Sequence, residues 1–109
     1  MSEKIHELKC WPRYFQSVLN GEKTFEVRYN DRNYMVGDYL VLREFDPKDG
    51  YTGNVYIARV PYILQDSNFT KQGYVIMSLD EIATFVNLDG EKYTRYMKRF
   101  FGNEWRDAE

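Results

Sequence analysis

Gly21-Glu22-Lys23-Thr24-Phe25-Glu26-Val27-Arg28 is the stretch on which the reading of this chain turns. From Thr24 onward the pattern alternates with a period of two, so Phe25 and Val27 share one strand face and Thr24, Glu26 and Arg28 the other. Just upstream, Trp11-Pro12 opens a helix, because proline at a first helical position gives up an N–H that would have no intrahelical acceptor. Phe15, Val18 and Leu19 recur at helical spacing, and Asn20-Gly21 closes the helix with residues that tolerate left-handed geometry. Residues 5–9 read as a strand before it. The chain therefore opens β-α-β, with its charge concentrated on the second strand.

Beyond this opening, Asn30-Asp31-Arg32-Asn33 is a polar turn, and Gly37-Asp38 is the turn before a strongly apolar strand over residues 39–45. Asp46-Pro47-Lys48-Asp49-Gly50 is the clearest loop. Residues 55–64 read as one long strand in which Pro61 marks an edge or bulge, since proline cannot donate to a ladder. After a polar loop over 65–73, residues 74–79 (YVIMSL) form a buried strand. The last thirty residues change character. A short helix is expected over 80–88 with Asp80 as its cap, then a longer one over 91–105. Its apolar face is Tyr93, Met97, Phe100 and Phe101, and its basic face Lys92, Arg95 and Arg99. These elements predict an α+β fold in which a small mixed sheet curls into a barrel, with an early helix. Residues 1–79 form the barrel, and residues 80–109 a C-terminal helical extension docked on the same domain.

Length and composition bound the function. At 109 residues, with 43% hydrophobic and 29% charged side chains, the chain is one folded domain rather than a disordered segment. No apolar run reaches the roughly 18 residues of a membrane span. The charged N-terminus and lone Cys10 point to a reducing, cytoplasmic setting. A net charge of −2 argues against a strongly basic, non-specific DNA binder, while leaving room for a small cationic cleft. One His and one Cys leave zinc without a ligand set, so no metal or cofactor is expected. Gly21-Glu22-Lys23-Thr24 has the outline of a Walker-loop tail, but Gln16 stands where the first glycine must be, so no phosphate nest forms.

The charged strand itself admits two readings. In one it is a solvated edge with cross-paired salt bridges, worth little to stability. In the other it is the mouth of a polar cleft, where Lys23 and Arg28 attract phosphate and Glu26 accepts base N–H groups or orients the lysine.

The stretch Gly21 to Arg28 resembles the G-x-K-x-x-E-x-R signature of ASCH domains, in the PUA-like superfamily. Asn30-Asp31-Arg32, Val36-Gly37-Asp38, Leu42-Arg43-Glu44-Phe45 and Tyr51-Thr52-Gly53 are similar to a small ASCH-like family of phage and bacterial genomes, a resemblance covering about residues 5–79. It implies a small barrel whose cleft, beside the first helix, binds RNA or a nucleotide-like ligand. Lys23, Glu26 and Arg28 would line that cleft, with Lys9, Trp11 and Arg32 nearby and Tyr51 and Thr52 on a closing loop. One ASCH relative is similar to an amidohydrolase of acylated nucleosides, which makes Lys23, Thr24 and Glu26 candidate catalytic groups for a modified nucleoside. At the nucleophile's place, however, this sequence has Glu26, which cannot form the usual acyl intermediate as a hydroxyl does. A third reading is a protein-interaction module working through the aromatic C-terminal helix.

Overall fold

A computed structural model describes residues 3–105. The elements are β1 (Ile5–Cys10), α1 (Pro12–Leu19), β2 (Phe25–Tyr29), β3 (Tyr39–Asp46), β4 (Gly50–Arg59), β5 (Ile63–Leu64), β6 (Tyr74–Ser78), β7 (Asp80–Phe85) and α2 (Gly90–Phe101), followed by a 3₁₀ turn over Gly102–Glu104. They form two sheets, of order β1-β3-β4-β7 and β2-β6-β5. In the first, β1 runs parallel to β3, and the other neighbours are antiparallel.

The continuous apolar run of β3 reflects burial on both faces. Leu40 and Leu42 join Phe15, Val18, Val75 and Met77 in a core between the two sheets and α1. Val41 points the other way, into a second core with Ile57, Tyr93, Met97 and Trp105 beneath α2. The aromatic face of the C-terminal helix is thus packed largely on the protein's own sheet. Phe100 remains partly exposed, while Lys92, Arg95 and Arg99 form a solvated outer face.

Three expectations are corrected. No closed barrel forms among the described residues: β1 and β2 are edge strands of different sheets and do not pair. Residues 80–85 are a strand rather than a helix, because β4 is ten residues long and offers them a full ladder. The long strand expected over 55–64 begins earlier, at Gly50, and ends at Arg59. Pro61 separates it from the two-residue β5. No described helix is long and apolar enough to cross a membrane.

Candidate functional site

The open seam between β1 and β2 is where the charged strand lies. In the β2–β6 pair, the Leu79 N–H donates to the Thr24 carbonyl and the Asn30 N–H to the Gly73 carbonyl, 3.1 and 2.8 Å. Antiparallel alternation therefore commits the backbone of Glu26 and Arg28 to β6 and turns that of Phe25, Val27 and Tyr29 to the open edge. The side chains follow the opposite logic from a usual half-buried strand. Phe25 and Val27 are exposed on the outer face, whereas Glu26 is only 4% exposed and points inward.

A buried carboxylate needs partners. Glu26 Oε1 accepts from Lys23 Nζ at 2.9 Å, and Oε2 from Arg28 Nε at 2.8 Å. Lys23 Nζ also donates to the Phe25 carbonyl of β2, and Arg28 Nη2 ties the group across the seam to the Lys9 carbonyl of β1, each at 2.8 Å. Arg32 makes a parallel link, Nη1 to the Glu7 carbonyl at 3.1 Å. Two guanidiniums thus cap the edge of β1 where a barrel would have had backbone pairing.

Lys23, Glu26 and Arg28 converge on a cleft of about 800 Å³, whose walls also carry Lys9, Cys10, Trp11, Tyr14, Val27 and Tyr74. Trp11, at the start of α1, is 52% exposed. Both oxygens of Glu26 are engaged by cations, so it sets the positions of Lys23 and Arg28. Val27 lines the cleft, and its backbone lies on the open edge of β2.

Not every residue singled out from sequence reaches this cleft. Thr24 is exposed and outside its lining, and among the described residues no serine or threonine lines it. Thr52 is turned away: with Asn54 and Gln16 it hydrogen-bonds the buried Glu44 carboxylate, at 2.7, 2.9 and 3.1 Å. Arg32 and Tyr51 line an adjacent groove, which shares Lys9 and Arg28 with the cleft. Sequence reasoning missed Cys10, Tyr14, Val27 and Tyr74 as lining residues; Val27 stands between Glu26 and Arg28 in the signature itself and Cys10 beside Trp11, positions that hinted at their place, whereas Tyr14 and Tyr74 come from other elements. Burial, reinforced by the nearby Glu26 charge, pushes the Cys10 thiol up to about 11. It is therefore protonated near neutral pH and a poor nucleophile. Among the described residues no group of His, Cys, Asp and Glu is arranged to hold a metal ion.

The class is defined by the fold. A crystal structure of a mutant of ZmASCH from Zymomonas mobilis matches with a TM-score of 0.58 and 18% identity, covering 86% of this chain and 81% of that one. The architecture is ASCH-like. The chain belongs to the family described as a domain of unknown function (DUF3850), whose model matches residues 5–79. It is also 39% identical over 77 residues to an uncharacterized 12.9 kDa protein in the GpA 3′ region of Escherichia phage P2, covering 71% of this chain and 69% of the relative. β7 and α2 lie beyond the matched family segment.

Proposed function

We propose that this domain binds RNA or a nucleotide-like ligand in the cleft between β1 and β2, and that it acts as a binding module rather than a hydrolase. The observation that carries the reading is the pairing of two cations, Lys23 and Arg28, with the single buried carboxylate Glu26 on one concave wall. One positive charge is left over, on side chains already held in place, and a phosphate is its natural complement. The exposed Trp11 ring beside it offers a base a stacking face, and the Val27 backbone offers hydrogen bonds to a base edge. Among the described residues no serine or threonine lines the cleft, and with the protonated state of Cys10 this favours binding over acyl transfer.

Fluorescence anisotropy with short labelled single-stranded RNAs, at low and moderate salt, tests this. Affinity is expected to fall with salt and to drop about tenfold in Trp11→Ala, in line with the usual worth of a base stacked on an aromatic ring. Lys23→Gln lowers it further. If neither substitution changes the affinity for any RNA or nucleoside monophosphate that binds, or if nothing binds at low salt, the proposal fails.

A further inference from the structure

We propose that the ligand is a single strand of several nucleotides, whose backbone leaves the cleft and runs along the adjacent groove toward the start of α2. This rests on the cleft being a nucleotide site. The groove, of about 570 Å³, shares Lys9 and Arg28 with the cleft and adds Arg32, Arg43 and Tyr51. Among the described residues, four cations therefore face one space with one carboxylate, Glu7, in a chain whose net charge is −2.

How these cations are held matters more than their number. Arg32 is anchored on the Glu7 carbonyl, a neutral acceptor. Its nearest carboxylate, Asp31, is 4.0 Å away and 66% exposed, close to the limit of an ion pair. Arg43 lies between the rings of Tyr51 and Tyr93, 3.7 and 3.6 Å from their centroids. Lys9 Nζ sits 4.4 Å from the centre of the Phe45 ring. The Glu7 carboxylate is 3.9 Å from Arg43 and also accepts the Tyr93 hydroxyl at 2.7 Å, so it is shared. Carbonyls and aromatic faces fix position without cancelling charge. Lys9 and Arg43 are moreover register partners on adjacent strands, an arrangement of like charges that is unfavourable by itself. A polyanion relieves that repulsion. One phosphate in the cleft reaches Lys23 and Arg28, and it takes a neighbouring phosphodiester to engage Lys9, Arg32 and Arg43.

The form of the polyanion follows from the rings. Trp11 stands at the cleft end and Tyr51, 46% exposed and backed by Arg43, at the groove end. Bases splayed from a single strand can stack on both; the stacked interior of a duplex cannot, and an acidic peptide brings no complementary planes. Past Tyr51 the surface continues to Asp89 at the start of α2, whose carboxylate ends the cationic run.

The test compares each of the four ribonucleoside 5′-monophosphates with its homohexamer, with hexaglutamate as competitor, on the wild-type protein and Arg32→Gln. The Arg32 side chain is 46% exposed, so this substitution spares the core. The best hexamer is expected to bind at least about tenfold more tightly than its monophosphate, and hexaglutamate not to displace it. Arg32→Gln is expected to reduce the hexamer-to-monophosphate ratio several-fold and the salt slope by about 1. A hexamer no tighter than its monophosphate overturns the strand while leaving the cleft reading standing. No binding of either overturns both. Displacement by hexaglutamate at matched charge assigns the groove to an acidic protein segment and overturns the nucleic-acid track. The wild-type comparison needs no variant, so it stands whatever the substitution does to folding.

Discussion

Replacing Glu26 by glutamine is the perturbation that separates the structural work of the cleft from the ligand binding proposed for it. The substitution keeps the shape and one acceptor oxygen, but places an NH₂ donor against one of two cations that the carboxylate holds at 2.9 and 2.8 Å. Removing one partner of a fully buried ion pair costs about 3–5 kcal/mol. Here the side chains left behind, Lys23 and Arg28, are 19% and 26% accessible, so water compensates in part. The retained amide oxygen still serves one of them. A loss of about 2 kcal/mol is the expected outcome, which for a domain of this size lowers Tm by roughly 10 °C. Anion affinity should move the other way. With the carboxylate gone, both cations are free to meet a phosphate, so an RNA that binds the cleft should bind several-fold more tightly, with a steeper salt dependence. Calorimetric melting and anisotropy on the same preparation read the two effects. A Tm within about 2 °C of wild type would refute the argument that Glu26 organises the wall. Weaker RNA binding in a folded variant would show instead that Glu26 itself contacts the ligand.

Alkali should destabilise the fold through groups buried in their neutral forms. The Cys10 thiol is raised from 9.0 to about 11, chiefly by burial. The unfolded chain therefore releases this proton from about pH 9 while the folded one retains it to about pH 11, so stability falls through that window, by about 2 kcal/mol from this group. Burial raises Tyr34, Tyr56 and Tyr93 in the same direction, steepening the loss. Urea unfolding at stepped pH should show a shallower decline for Cys10→Ala than for wild type; equal slopes would contradict the assignment. Gly53→Ala is expected to cost about 2–4 kcal/mol, because at φ +95° the new Cβ would lie 2.8 Å from the Leu88 oxygen. Gly21→Ala, at φ +79° with open space around it, should cost about 1 kcal/mol, so denaturant midpoints that failed to separate the two would argue against the close approach at Gly53.

The early half of the chain was legible because its signals are local. Trp11-Pro12 and Asn20-Gly21 bound α1, with Trp11 as N-cap and Asn20 as C-cap, and the apolar run over residues 39–45 announced β3 as a strand, though its burial on both faces showed only in the fold. Residues 80–85 were misread because an acidic residue before Glu81 and Ile82 looks like a helix cap. The contrary signal was the β-favouring Thr84-Phe85-Val86, and what decided the outcome was a ladder with β4, which only the tertiary fold supplies. At the site, the alternation correctly grouped Glu26 with Arg28. It could not say which face is buried, and the charged face turned inward because Lys23 and Arg28 satisfy the carboxylate there. Tyr14 and Tyr74 were illegible for a different reason: Tyr74 reaches the cleft from β6, remote in sequence from the signature, and helical spacing on α1 does not show that Tyr14 turns toward β2.

The arginine links across the seam have a consequence for self-association. An unpaired strand edge is a template for another chain, and here two such edges, those of β1 and β2, face a common opening. Arg28 and Arg32 occupy the Lys9 and Glu7 carbonyls that an incoming strand would need. A guanidinium carries five N–H donors, so each can mask a carbonyl and still offer N–H groups to solvent. Lysine, with three, would have fewer to spare. Protection against aberrant strand addition and the anion binding proposed above thus fall to the same two side chains, and neither has to displace the other.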